Sequence, residues 1–97
     1  MSEEPAKTLH LFVDGRVQGV GYREFARRAA LRFHLSGWAR NRAEGGVEIR
    51  ASGAAADLDA FVEALRRGPP SSLVRGVQAV EEGGAPERGG FHIVATV

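Results

Sequence analysis

The spacing of apolar residues alternates between a strand period and a helix period, and this order constrains the fold more than any other feature of the chain. Leu9, Leu11 and Val13 recur at alternate positions, which is the pattern of a strand. Because the residues between them are also largely apolar, we expect this strand to lie centrally in a sheet. From Tyr22 to about His34, apolar residues recur at helical spacing, which predicts a first helix.

Two strands joined by a hairpin are predicted in the middle of the chain. A short run that includes Trp38 ends at Asn41, and residues 47–51 alternate between apolar and charged side chains. The residues between them, Arg-Ala-Glu-Gly-Gly at 42–46, supply glycines for the positive-φ positions of a hairpin loop. Asn41 therefore stands at the end of a strand, directly before the hairpin.

A second helix and two further strands complete the pattern. The clearest amphipathic helix has apolar residues at i, i+3, i+4 and i+7, namely Leu58, Phe61, Val62 and Leu65. Gly-Pro-Pro at 68–70 ends this helix. A strand over 74–81, in which Gly76 allows a bulge, and a short final strand over 91–95 follow.

The order strand, helix, strand, strand, helix, strand, with one more strand at the end, predicts an α+β fold. This order is that of the ferredoxin-like fold, a split βαβ (βαββαβ) two-layer sandwich with an antiparallel-rich sheet. Right-handed crossovers place the two helices on one face of the sheet, which their single apolar stripes allow. The chain of 97 residues suffices for one core, so we expect a domain over residues 8–97 and a flexible N-terminal tail over residues 1–7.

The composition excludes several classes of function. Because the chain has no cysteine, it has no disulfide, no thiolate metal site and no cysteine nucleophile. The formal net charge of +1 gives no support to nucleic-acid binding, and no apolar run is long enough to span a membrane. With no secretory signal at the N-terminus, we expect a cytoplasmic protein. We also expect a monomer, although the edge strands of an open sheet could pair between chains.

A glycine-rich loop between the first strand and the first helix is the candidate binding site. Residues 15–23 read Gly-Arg-Val-Gln-Gly-Val-Gly-Tyr-Arg. Such a turn can direct successive backbone N–H groups into one concavity, and the helix N-terminus adds partial positive charge. The predicted phosphate-binding loop consists of Arg16, Val17, Gln18, Gly19, Val20, Gly21 and Tyr22. Arg23, in the first helical turn, can contact two phosphate oxygens with its planar fork.

The loop pattern alone leaves a simpler interpretation open, and by itself favours it. Three glycines can merely form a tight connection between strand and helix, with Arg23 as a solvated surface residue. The segment also lacks G-x-x-x-x-G-K-[ST] and G-x-G-x-x-G, the two common nucleotide-binding patterns. ATP hydrolysis by a Walker-type loop is therefore not expected.

Two segments together resemble the acylphosphatase family. Residues 15–23 are similar to the acylphosphatase loop and the phosphate-binding arginine that follows it. Residues 37–53, Gly-Trp-Ala-Arg-Asn-Arg-Ala-Glu-Gly-Gly-Val-Glu-Ile-Arg-Ala-Ser-Gly, resemble the second family signature, in which Asn41 occupies the place of an asparagine that ends a strand. Tyr22 stands where many members have phenylalanine. The resemblance extends over about residues 8–95.

The resemblance implies an enzyme that hydrolyses the carboxyl-phosphate bond of acyl phosphates to a carboxylate and inorganic phosphate. It implies that the amides of residues 17–22 and Arg23 hold the phosphate, and that Asn41 orients water for in-line attack on phosphorus. The expected partner is a small acyl phosphate, or phosphate or a similar anion in the site. We expect no cofactor and no metal, because the three histidines have no ligand-like spacing. Without the resemblance, Asn41 would be interpreted as a turn-starting residue bonded to nearby backbone.

Two other functions remain possible from the sequence. Single-stranded RNA-binding modules share the ferredoxin-like topology, but the aromatic signature of the RNA-recognition domains is missing from this chain. A non-catalytic phosphate-binding domain would use the same loop without turnover. Only an activity assay separates that domain from the enzyme.

Overall fold

The described residues form seven elements in the predicted order. A computed structural model describes residues 6–97. The elements are β1 (Lys7–Arg16), α1 (Tyr22–Arg32), β2 (Ser36–Asn41), β3 (Val47–Gly53), α2 (Ala55–Arg67), β4 (Leu73–Glu82) and β5 (Phe91–Ile93). The tail predicted over residues 1–7 falls largely outside the described residues and stays a prediction, although Lys7 already begins β1. No helix within residues 6–97 has the length and apolar character needed to cross a bilayer.

The sheet has the order β4-β1-β3-β2-β5, with two helices packed on it. All neighbouring strands are antiparallel except β2 and β5, which are parallel. β1 lies between β4 and β3, which confirms its predicted place inside the sheet. The mixed sheet with two helices confirms the predicted ferredoxin-like α+β fold.

The core lies between the helices and one face of the sheet. In the register between β1 and β3, Leu11 stands opposite Ile49 and Val13 opposite Val47, and all four side chains are buried. α1, which lies against β2 and β5, adds Tyr22 and three small residues, Ala26, Ala29 and Ala30, to the same core. α2 contributes larger side chains, among them Phe61, whose ring meets the edge of Phe91 from β5. The alternating apolar pattern of the sequence therefore marks the buried face correctly.

Two element ends and the position of a bulge differ from the sequence-based predictions. The helix predicted to about His34 ends at Arg32, and His34 has a left-handed φ of 59°, which turns the chain toward β2. The register between β1 and β4 shifts at Asp14 and Gly15, so the extra residue of the bulge is Arg75, beside the predicted Gly76. The last strand ends at Ile93 rather than at residue 95.

The other face of the sheet carries a charged network centred on His10. Its two ring nitrogens lie 2.5 Å from Glu48 Oε2 and 2.9 Å from Glu82 Oε2. Arg40 Nε donates to Glu48 Oε1 at 2.9 Å, and Arg50 Nε donates to Glu82 Oε1 at 3.0 Å. Burial raises the pKa of Glu48, but the hydrogen bonds from His10 and Arg40 outweigh it and hold the pKa below its ordinary value.

We expect this network to make folding stability depend on pH in the acid range. Because the folded-state pKa of Glu48 is lowered, its stabilising contribution is present above the ordinary value of 4.5 and is lost as the pH falls through the folded value. The free energy of unfolding of the parent should therefore fall more steeply between about pH 6 and about pH 3 than that of Glu48→Gln. Urea unfolding at each pH measures both.

Glu63→Gln is the matched control, since Glu63 is exposed on α2 and lies outside the network. It should keep the pH dependence of the parent. Parallel curves for the parent and Glu48→Gln would contradict the assignment.

Candidate active site

The loop between β1 and α1 requires glycine for its backbone conformation. Gly19 and Gly21 have left-handed φ values of 75° and 77°. A Cβ at either position would meet no atom within 4 Å, so the constraint is conformational and not one of space. Gly21 is the N-cap of α1, and no side chain caps this helix end.

The backbone donors of the loop are uncommitted. Within residues 6–97, none of the N–H groups of residues 17–21 donates to another residue. The first N–H groups of α1 have no intrahelical partner, as in any α-helix, and Gly21 has no side chain to accept from them. The loop and the helix N-terminus thus present free donors and partial positive charge, which together suit an anion.

Three contacts hold the loop to the rest of the fold. Val17 is buried in the core. Ser71 Oγ donates to the carbonyl of Val20 at 3.2 Å, and the Tyr22 hydroxyl donates to the carbonyl of Leu65 at 2.7 Å. Burial raises the pKa of Tyr22 well above its ordinary value, so this hydroxyl remains a donor. The loop is therefore fixed on the side of α2 and the segment that follows it.

Arg23 is a half-buried residue that lacks a carboxylate partner within residues 6–97. The adjacent Glu24 is already bonded to Arg27 and Arg28 on the next turn, which holds the pKa of Glu24 at about 2. The other basic residues that form no ion pair in this range are exposed, namely Lys7, Arg16, Arg32, Arg67, Arg75 and Arg88. Among the basic residues that form no ion pair within residues 6–97, Arg23 is thus the one that is half-buried, which suits an anion-binding residue.

Asn41 is the last residue of β2 and pairs with Val47 across the hairpin. Its Oδ1 atom is buried and has no hydrogen-bond partner within residues 6–97. A turn-starting asparagine would instead use this oxygen to bind nearby backbone. Because a buried acceptor left unbonded costs about 1–3 kcal/mol, the arrangement suits an oxygen that binds a ligand or water during function.

The structure brings the loop and the hairpin into direct contact. Gln18 Nε2 donates to the carbonyl oxygens of Arg42 and Gly46, both at 2.8 Å. Sequence reasoning assigned only the backbone of Gln18 and missed this role of its side chain. No sequence signal marks it, because the two acceptors are backbone carbonyls 24 and 28 residues away.

Further observations concern the surroundings of the predicted site. Arg16 is exposed at the end of β1, and its place in the phosphate-binding loop stays a prediction. A cleft of about 500 Å³ borders the hairpin at Arg42, Gly45 and Gly46, but neither Arg23, Asn41 nor residues 15–22 line it. Within the described part of the chain, no cluster of three or more His, Asp or Glu could hold a metal ion.

Comparisons with known proteins show which family and which solved structures the chain resembles. The family model described as Acylphosphatase matches residues 9–93. An acylphosphatase of Bacillus velezensis is 49% identical over 73 residues, which are 75% of this chain and 80% of the relative. The crystal structure of acylphosphatase from Bacillus subtilis superposes with a TM-score of 0.87 and 41% identity, over 91% of this chain and 98% of the other. The structure of an acylphosphatase from Coxiella burnetii superposes with a TM-score of 0.89 and 31% identity, over 97% of this chain and 100% of the other.

We predict that Gly15, which lies near the end of β1 just before the loop, tolerates no side chain. Its φ is 127°, and an added Cβ would lie 2.1 Å from the carbonyl oxygen of Leu73, a backbone atom that cannot rotate away. Gly15→Ala should therefore lower the free energy of unfolding by at least about 2 kcal/mol. Equilibrium urea unfolding measures this change.

Gly76→Ala is the matched control from the strand that pairs with this part of β1. Gly76 stands opposite Asp14, and an added Cβ there would meet no atom within 4 Å. Its effect should stay within about 1 kcal/mol. Equal effects of the two substitutions would contradict the close approach at Gly15.

Proposed function

Because the chain belongs to the acylphosphatase family, we propose that Arg23 and Asn41 are the catalytic residues with which it hydrolyses acyl phosphates. The enzyme is an acylphosphatase, which splits an acyl phosphate into a carboxylate and inorganic phosphate. The observation that carries the residue assignment is Arg23, which is half-buried and has no ion pair within residues 6–97. It lies in the first turn of a helix that begins at a glycine-rich loop, whose amides have no partner in that range.

The amides of residues 17–22 and the Arg23 guanidinium, together called the cradle, supply positioning and charge in this proposal. Phosphoryl transfer requires little covalent chemistry from the protein, so fixed donors aimed at the phosphate oxygens can provide most of the catalysis. In this proposal the amides of residues 17–22 and the Arg23 guanidinium bind the three terminal oxygens. The left-handed backbone at Gly19 and Gly21 supports this proposal for the loop amides, because it is set before a substrate arrives.

Asn41 orients the attacking water. Its Oδ1 is an acceptor without a partner within residues 6–97, and a water hydrogen can fill that place. The water oxygen bonds to phosphorus as the bond between phosphorus and the acyl oxygen breaks, and the carboxylate leaves with the electron pair. An asparagine amide is no base at neutral pH, so we propose that a phosphate oxygen of the substrate accepts the proton of the water. No metal or cofactor takes part in this scheme.

The cellular setting is also a proposal. We propose a cytoplasmic monomer whose partner is a small acyl phosphate, and which binds neither nucleic acid nor membrane. The nearly balanced formal charge of +1 supports this, since a surface built to bind nucleic acid requires a basic excess. Sedimentation equilibrium and a salt-dependent RNA titration test it. A stable dimer or tight RNA binding would contradict the proposal.

We expect Arg23→Ala and Asn41→Ala each to lower kcat/KM for benzoyl phosphate by at least about 10²-fold, the usual cost of one preorganised donor. Because Arg23 binds phosphate directly, Arg23→Ala should also raise the inhibition constant of inorganic phosphate, whereas Asn41→Ala should change it much less. Steady-state kinetics with EDTA present measures all of these quantities.

Arg32→Ala is the control, because Arg32 is exposed at the other end of the same helix and forms no ion pair within residues 6–97. It should keep the activity of the parent. Activity of Arg23→Ala or Asn41→Ala within a few fold of the parent would show that the assignment is wrong. Phosphate binding without turnover in the parent would instead favour a non-catalytic phosphate-binding domain.

A further inference from the structure

The Gln18 side chain connects the two halves of the proposed active site. The phosphate loop follows β1, and the hairpin that follows Asn41 belongs to β2 and β3. β1 is paired with β3 only as far as Val13 and Val47, and beyond Val13 it stays paired with β4 alone, so strand pairing does not connect the loop to the hairpin. Within residues 6–97, the two bonds from Gln18 are the hydrogen bonds that join residues 17–21 to residues 41–47.

The geometry of these bonds uses the whole donor capacity of one carboxamide. The hairpin closes through a hydrogen bond from Arg42 N to the carbonyl of Gly46 at 3.1 Å. Gln18 Nε2 donates to the carbonyls of these same two residues, so it spans both ends of the turn. Because both acceptors are carbonyl oxygens, the nitrogen and not the oxygen of the side chain must face them.

We propose that Gln18 is a positioning residue, which fixes the hairpin, and through it the Asn41 carboxamide, relative to the phosphate loop. This inference rests on the proposed roles of Arg23 and Asn41. Asn41 directly precedes Arg42, so a shift of the Arg42 carbonyl moves the backbone that carries the Asn41 side chain. In-line attack depends on the placement of water against phosphorus, and a displacement of about 1 Å can cost about 10²-fold in rate.

The effect on catalysis should be separable from an effect on phosphate binding. The loop has independent attachments through Val17, through the bond from Ser71 to Val20, and through the bond from Tyr22 to Leu65. None of them involves the hairpin, so the cradle keeps its shape when the Gln18 side chain is removed. The Gln18 side chain is also exposed, so its loss should affect folding little.

Gln18→Met tests the inference, because methionine has a similar size, no charge and no N–H donor. We expect kcat for benzoyl phosphate to fall by about 10-fold, while the inhibition constant of inorganic phosphate changes by less than about 3-fold. The melting temperature should stay within about 4 °C of the parent. Gln18→Ala should give the same split between kcat and phosphate inhibition.

A double-mutant cycle with Asn41→Ala tests whether Gln18 acts through Asn41. In the Asn41→Ala background, Gln18→Met should lower kcat by less than about 2-fold, because the group that it positions is already gone. Equal losses in both backgrounds would overturn the inference, as would a phosphate inhibition constant that rises in step with the fall in kcat. A parent without turnover would refute the proposed function instead, so the two failures are distinguishable.

A spectroscopic readout tests the same inference without activity. The chain has one asparagine, Asn41, and two glutamines, Gln18 and Gln78, so its side-chain NH₂ spectrum contains three pairs of signals. In phosphate-saturated protein, Gln18→Met removes one pair and should shift that of Asn41. An unshifted Asn41 pair would overturn the inference.

Discussion

The left-handed backbone at Gly19 and Gly21 is the constraint on which the rest of the site depends. It lets the chain pass from β1 into α1 without a side chain at the N-cap, so the first amides of the helix stay uncommitted. A serine or aspartate at that cap would bind these donors internally and remove the anion site. In the proposed function, glycine at these positions leaves the amides available to the phosphate and not to a capping side chain.

The site combines several features that do not favour folding, and the core offsets them. The half-buried Arg23 has no ion pair within residues 6–97, and Asn41 Oδ1 is a buried acceptor without a bond there. Tyr22 joins the site to the core, because its ring is buried between the helices while its hydroxyl binds the carbonyl of Leu65. The start of α1 is thus anchored while the loop amides have no partner within residues 6–97, and fixed donors of this kind are what charge stabilisation in catalysis requires.

The fold was predictable from the sequence because local patterns and tertiary packing agree. Each segment with a regular apolar pattern forms the predicted helix or strand. The errors concern the ends of elements, such as the end of α1 near His34, and the residue that forms the bulge. The loop pattern alone did not identify a phosphate site. Only the resemblance over residues 15–23 and 37–53 made Arg23 and Asn41 the favoured site residues, and their roles stay predictions. The role of Gln18 could not be predicted, since its acceptors are carbonyls that only the folded chain brings near.

The most direct test of the account follows the oxygen atom of the attacking water. If the cradle holds the phosphate while Asn41 directs water to phosphorus, hydrolysis of benzoyl phosphate in water enriched in oxygen-18 should place the label in inorganic phosphate and leave the benzoate unlabelled. Mass spectrometry of both products measures this distribution. Label in the benzoate would show attack at the carbonyl carbon and would contradict the account.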